Sequence, residues 1–144
     1  MLLLVESLSF DEIMKRAQKK LPLMWHNSLD LLKREYQRFL VLAFTSLSSE
    51  KFICRPSALI DIIWHEHILS TRQYQSDCTL IGGQFLHHTP ESTSTIEEQD
   101  TVFFLKQYHL LFGEEAPSTI WNKNKNENEK TNLEKGETWI CASY

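Results

Sequence analysis

The sequence predicts an all-α protein that folds as a single compact domain of four to five helices. Apolar residues recur at helical spacing along most of the chain, and runs that alternate apolar with polar residues are few. Of the 144 residues, 42% are hydrophobic, and only four are Gly and four are Pro. A chain of this length and composition can build one domain with a substantial core, so we expect residues 1–121 to form a single helical domain.

Local signals predict the first two helices. Ser9 and Glu12 stand in a Ser-x-x-Glu pattern that is typical of a capping box, which predicts a helix from about residue 10 to residue 20, ended by Pro22. A longer helix is predicted over residues 22–47, because apolar residues form one stripe at helical spacing and charged residues fill the opposite face. The stripe consists of Trp25, Leu29, Leu32, Tyr36, Phe39, Leu40, Ala43 and Phe44.

Two further helices are predicted beyond a loop. Ser57 is suited to cap a helix over residues 57–80, and a pair of glycines shortly afterwards ends it. We expect this helix to pack antiparallel to the helix over 22–47, at the centre of the domain. A fourth helix is predicted over residues 97–112, again ended by a glycine.

The composition changes abruptly after Trp121. Residues 122–135 are rich in Asn, Lys and Glu, which predicts a polar linker or a disordered segment. Residues 136–144 regain apolar side chains, so we expect a tail that docks on the core or on a partner. Because tryptophan is enriched at binding hot spots, Trp121 and Trp139 are the candidate partner contacts.

Charge and composition exclude several classes of partner. The chain has 19 acidic and 15 basic residues and a formal net charge of -4, with no basic patch, so we expect neither nucleic acid nor membrane as a partner. The apolar N-terminal run is too short for a signal peptide. An odd, small number of cysteines is typical of a reduced compartment, so we expect a soluble protein of some cytoplasm. The cysteines are Cys54, Cys78 and Cys141.

The stretch from residue 61 to residue 90 holds four of the six histidines. Asp61 and His65 are four residues apart, so on a helix they share one face about 6 Å apart along the axis. That spacing suits either a carboxylate that orients an imidazole or two ligands of one metal ion, with zinc as the candidate. The remaining candidate ligands are His87 and His88, and the spacing does not decide which of them joins. The alternative interpretation is a structural His/Asp cluster without metal.

Helical geometry separates the other reactive residues of this stretch. His67 is about 200° around the helix from His65 and falls on the core-facing stripe. Cys78 lies about 16 Å beyond His67 along a straight helix, so the two cannot bind one ion unless the helix breaks between them, and both are best interpreted as core residues. Glu66 points about 100° away from either histidine and is poorly placed as a base. Cys54 precedes a helix, where a thiolate is favoured, but its surroundings match no protease signature.

Four motifs carry a family resemblance: R-E-Y-x-R-F-L (34–40), P-S-x-x-x-D-x-x-W-H-x-H-I-L-x-T-x-x-Y (56–74), D-C (77–78) and G-x-x-L-H-H-x-P (83–90). They resemble the conserved domain of the glycine-rich domain-containing proteins. The resemblance implies a helical fold but no particular reaction. A standalone chain with this composition also resembles small effector-type proteins of intracellular bacteria. That resemblance implies a bacterial cytoplasmic protein, or one delivered into a host cytoplasm without a classical signal peptide. The implied signature positions are Asp61, Trp64, His65, His67, Tyr74, Cys78, His87, His88 and Pro90.

These observations favour a protein-interaction or regulatory module over an enzyme. Such a module would bind another protein, for example as an inhibitor of another bacterial effector or enzyme, and a homodimer is the other partner to consider. The structural cluster would then comprise Trp64, His67, Tyr74, Cys78 and Pro90 around the His/Asp pair. The alternative function is a zinc-dependent hydrolase, or a degenerate enzyme, that uses Asp61, His65 and either His87 or His88.

Overall fold

A computed structural model describes residues 1–47, 54–89 and 98–121, and it confirms the predicted all-α class. The described residues form seven α-helices, more than the four to five expected, because predicted helices are divided and short helices are added at both ends. Residues 122–135 and 136–144 lie outside the described part of the chain. The helices are α1 (Leu2–Ser7), α2 (Asp11–Gln18), α3 (Leu29–Leu47), α4 (Ala58–Leu69), α5 (Thr71–Gly82), α6 (Glu98–Phe112) and α7 (Ser118–Trp121), and a 3-10 turn spans Leu23–Trp25.

Helix α3 is the centre of the domain. Helices α1, α2, α4 and α5 all pack against it. Its apolar stripe is buried from Leu32 onward, as the periodicity predicts, but Glu35, Gln37 and Arg38 on the predicted polar face are buried as well. Phe39 contacts Trp64 of α4 with ring centroids 5.0 Å apart. No helix within the described ranges is both long enough and apolar enough to cross a membrane.

The predicted helix over 22–47 is shorter than expected. Pro22 has ψ of 142°, which is extended rather than helical, and a single 3-10 turn follows it. After a turn at residues 26–27, α3 begins at Leu29, and the Leu32 N–H donates to the Ser28 carbonyl at 3.0 Å. Pro22 fixes only its own φ, so the extended ψ and the turn that follows separate the first residues of the predicted helix from α3.

The predicted helix over 57–80 is divided into two at Ser70. There φ is -81° and ψ is 60°, outside the helical region, and α5 starts in a new direction at Thr71. The break is held from outside the helix, because the Arg16 guanidinium of α2 donates to the Ser70 hydroxyl and to the Glu66 carbonyl. Serine competes for backbone hydrogen bonds, which makes it a suitable residue for such a break.

The signals at helix ends are only partly correct. The Ser57 hydroxyl accepts from the Ile60 N–H at 3.4 Å, so the predicted N-cap of α4 is confirmed. Gly83 and Gly113 follow α5 and α6 with φ of 70° and 69°, in the left-handed region that glycine favours. The predicted capping box at Ser9 is wrong. The N-cap of α2 is Phe10, whose side chain has no hydrogen-bond acceptor to cap the helix and is fully buried in the core.

Gly82 is predicted to be intolerant of any side chain. A Cβ atom at this position would lie 2.1 Å from Cδ1 of Phe44, whose ring is buried. We expect Gly82→Ala to destabilise the fold by about 1–3 kcal/mol in urea denaturation, because the core must shift to admit a methyl group. Gly83→Asn is the control, since that position is open and asparagine tolerates a left-handed φ. Equal midpoints for Gly82→Ala and the wild type would contradict this packing.

Candidate metal site

The two central histidines of α4 face opposite sides of the helix. His67 is buried at 1% exposure, while His65 lies on the partly exposed face together with Asp61. This arrangement follows from the helical angle that separates residues two and four positions apart, as the sequence predicts. Helix α4 therefore carries one histidine into the core and presents another at the surface.

Asp61, His65 and His88 converge at the surface. Nε2 of His88 lies 3.0 Å from Oδ1 of Asp61, and Nε2 of His65 lies 3.5 Å from Oδ2 of the same carboxylate. The two Nε2 atoms are 2.9 Å apart. One ligand atom from each residue falls within 4.8 Å of both others, so this group can hold a metal ion.

Protons alone satisfy this cluster poorly. Each imidazole nitrogen carries either one proton or one lone pair. If both Nε2 atoms carried protons, two N–H groups would oppose each other at 2.9 Å. If only the His88 Nε2 atom carried a proton, that single N–H would be shared between the Asp61 carboxylate and the lone pair of His65 Nε2, and both hydrogen bonds would be weakened. A cation would bond all three atoms at once, and the Asp61 carboxylate would supply compensating charge.

The structure selects His88 rather than His87 for the cluster, which the sequence left open. The ring of His88 packs against that of Trp64 of α4 at a tilt of 41°, with centroids 4.5 Å apart, while the side chain of His87 is exposed. The loop that carries both is anchored through Tyr74: the Trp64 indole N–H donates to the Tyr74 hydroxyl at 2.9 Å, and that hydroxyl donates to the Leu86 carbonyl. Trp64 and Tyr74 thus position His88 against α4.

A second constellation lies in the core around His67. The Tyr36 hydroxyl donates to Nδ1 of His67 at 2.7 Å, and the His67 Nε2–H donates to Oδ2 of Asp77 at 3.0 Å. Burial lowers the pKa of His67, although Asp77 acts in the opposite direction, and burial also raises the pKa of Tyr36. The chain of hydroxyl, imidazole and carboxylate is similar in form to a hydrolytic triad, but its members are buried. It joins α3, α4 and α5, which confirms His67 as a core residue.

The remaining candidate bases and nucleophiles are occupied or buried. The Glu66 carboxylate is buried and pairs with Arg16 of α2 at 3.3 Å and with Lys20 in the turn after α2, so it is not available to the cluster. Burial raises the pKa of the Cys54 thiol and that of Cys78, which keeps both protonated. Cys78 is buried near Tyr74, as the sequence predicts, and does not belong to the metal-capable group.

A buried carboxylate that was not among the predicted site residues joins the C-terminal helices to α3. Glu35 is fully buried, and its Oε2 accepts from the Tyr108 hydroxyl at 2.7 Å and from the Trp121 indole N–H at 2.8 Å. Arg38 donates to both carboxylate oxygens of Glu114 at 3.2 Å and holds the pKa of Glu114 below its usual range. Glu35 stands in the R-E-Y-x-R-F-L motif, but it also lies on the polar face of a predicted helix, and its burial depends on tertiary contacts that the motif does not specify.

Other predicted residues lie apart from the cluster. Trp121 is half-buried and packs on Phe104, rather than standing exposed as expected of a partner contact. The two histidines outside residues 61–90 also lie apart from the cluster: His26 contacts the Leu21 carbonyl, and His109 pairs with Glu115. Three other residues named in the sequence analysis lie outside the described part of the chain: Pro90, Trp139 and Cys141.

Comparison with protein families matches the model of the UCP032817-like family over residues 3–129, and the chain belongs to that family. The match spans every residue of the cluster and of the buried chain around His67. No curated protein matches the sequence, and no solved structure matches it. The resemblance to the glycine-rich domain-containing proteins therefore rests on the motif residues alone.

The Tyr36 hydroxyl is predicted to stabilise the core. Tyr36→Phe leaves Nδ1 of buried His67 without its donor, so we expect a loss of about 1–3 kcal/mol in urea denaturation. Thr79→Ala is the control, because it removes an exposed hydroxyl that bonds only to the Gln75 carbonyl of its own helix, and we expect a change within about 0.5 kcal/mol. Equal losses for the two variants would contradict the role of the buried chain.

Proposed function

We propose that this member of the UCP032817-like family is a zinc-binding interaction module. In this proposal, Asp61, His65 and His88 hold one zinc ion that fastens the loop at residues 83–89 to α4. The module then acts by binding another protein rather than by turning over a substrate. The convergence of the three ligand atoms is the observation that carries the proposal.

The separations between the ligand atoms support zinc. Zn–N bonds of about 2.0–2.1 Å separate neighbouring ligand atoms by about 3.3 Å in a tetrahedral site. The two Nε2 atoms are 2.9 Å apart, and the carboxylate of Asp61 places Oδ1 3.0 Å from His88 and Oδ2 3.5 Å from His65, which are all close to that value. Small rotations of His65 and His88 would therefore admit the ion without moving α4. Imidazole and carboxylate are also a ligand set that zinc accepts.

The positions of the three ligands in the chain support a structural role for the metal ion. Two of them stand on α4 and the third on a loop with no regular secondary structure. An ion that binds all three links segments more than twenty residues apart in the chain. Because such a site forms only in the folded protein, the free energy of metal binding adds to the free energy of unfolding.

The surroundings of the cluster favour binding over turnover. Catalysis by a zinc-bound water usually needs a base nearby, and the adjacent carboxylate of Glu66 is neutralised by Arg16 and Lys20. On the same loop, Phe85 exposes 44% of its surface. An exposed aromatic ring beside a braced loop is a typical anchor for a protein partner.

A zinc-dependent hydrolase is the second candidate, and one observation favours it. Three protein ligands on a partly exposed surface leave one coordination position for water, as in catalytic zinc sites. This function predicts hydrolysis of a model ester by the zinc-loaded protein, lost on His65→Ala. The interaction module predicts no turnover above that of free zinc.

Metal content is the direct test. We expect the full chain, purified without chelator and dialysed, to carry about one equivalent of zinc by mass spectrometry of the elements. His65→Ala and His88→Ala should each lose it, because two ligands hold zinc much less firmly than three. His109→Ala is the matched control, since that exposed histidine on α6 lies outside the cluster. Zinc retained in both ligand variants, or absent from the wild type even after loading, would contradict the proposal.

Tyr74 is predicted to influence the zinc affinity of the site without being a ligand of the ion. Tyr74→Phe removes the hydroxyl that links Trp64 to the Leu86 carbonyl, so His88 loses its anchor. We expect zinc affinity to fall by about tenfold in competition titrations, as for other supporting residues of metal sites. Tyr108→Phe is the control, because it removes an equally buried hydroxyl from the Glu35 network. It should lower stability and leave zinc affinity unchanged. If both variants bind zinc like the wild type, Tyr74 does not position the site.

A further inference from the structure

We infer that the zinc site is completed by a second copy of this chain, whose His87 supplies the fourth ligand. Zinc would then join two copies through their loops at residues 83–89. This inference rests on the proposed zinc site and names the partner that the site binds.

The first observation is that the proposed zinc site has three protein ligands, one fewer than a structural zinc site usually has. Structural zinc is almost always held by four protein ligands, and the group found among the described residues has three. The side chains of Asp61, His65 and His88 are exposed by 16%, 24% and 21%. The ion would therefore lie near the surface, where a ligand from another molecule can reach it.

The second observation is the position of His87. It is adjacent in sequence to the ligand His88, yet its side chain is exposed and does not join the three converging atoms. Its ring packs against Phe85 instead, with centroids 4.8 Å apart. An imidazole presented in this way cannot complete its own site while His88 occupies it, but it is open to the site of a neighbouring copy.

Symmetry makes the arrangement self-complementary. In a two-fold dimer, any contact from one copy to its partner is repeated in reverse, so two exchanged histidines complete two sites. Phe85 would be buried between the copies, and its ring is already fixed on its inner side by Tyr74 at a centroid distance of 5.1 Å. A rigid exposed aromatic ring loses little conformational entropy on burial, which favours it as an interface anchor.

The first test is the mass of the full chain in solution, measured by sedimentation at about 50 μM with EDTA or with one equivalent of zinc. We expect a monomer in EDTA and a dimer with zinc. His87→Ala should bind zinc as a monomer, and His109→Ala should dimerise like the wild type. Zinc binding by a wild-type chain that stays monomeric would overturn this inference alone. An absence of zinc binding would overturn the proposed function with it.

The second test mixes two variants that each lack one half of the contact. His88→Ala keeps the donated His87 but has lost its own site, whereas His87→Ala keeps a three-ligand site but donates nothing. Each alone should remain monomeric with zinc, and a 1:1 mixture should form a heterodimer that holds one bridging ion. A mixture that stays monomeric while the wild type dimerises would show that zinc joins the copies in another way and would overturn the exchange of His87.

Discussion

The buried hydrogen-bond chain through Tyr36, His67 and Asp77 fixes how α4 is rotated against the rest of the domain. An imidazole has two nitrogen atoms on opposite sides of its ring, so a histidine with a partner at each nitrogen has little rotational freedom. Here one partner stands on α3 and the other on α5, and both bonds are shielded from water. Breaking either would leave a buried polar atom unpaired, which costs more than an exposed hydrogen bond contributes.

The surface cluster depends on that orientation. Once His67 points inward, the positions two and six residues before it, His65 and Asp61, face outward together. Trp64 and Tyr74 anchor the following loop to the core through hydrogen bonds and ring packing. His88 therefore lies beside His65 and Asp61 of α4. Ligands placed by a packed helix and an anchored loop need little rearrangement to bind an ion. The outer residues of the same loop, Phe85 and His87, are then presented in a fixed position for a partner.

Sequence periodicity predicts the helical class, the buried stripe of α3 and the division of α4 into an inward and an outward face. It does not predict the break at Ser70, because the break depends on contacts with Arg16, more than fifty residues away. Nor does it choose between His87 and His88, since that choice depends on the anchoring of Leu86 by Tyr74. The burial of Glu35 is not predicted either: a charged residue on a helix is ordinarily exposed, and its burial depends on hydrogen bonds from Tyr108 and Trp121 and on pairing with Arg34 and Arg38.

X-ray absorption at the zinc edge of the loaded full chain tests the metal site most directly, because it reports the atoms bonded to the ion. We expect a first shell of nitrogen and oxygen atoms at about 2.0–2.1 Å, with outer scattering from two or three imidazole rings. The thiols of Cys54 and Cys78 are buried away from the cluster, so sulfur should not contribute. A sulfur shell at about 2.3 Å, or a spectrum of zinc surrounded only by oxygen, would contradict the site formed by Asp61, His65 and His88.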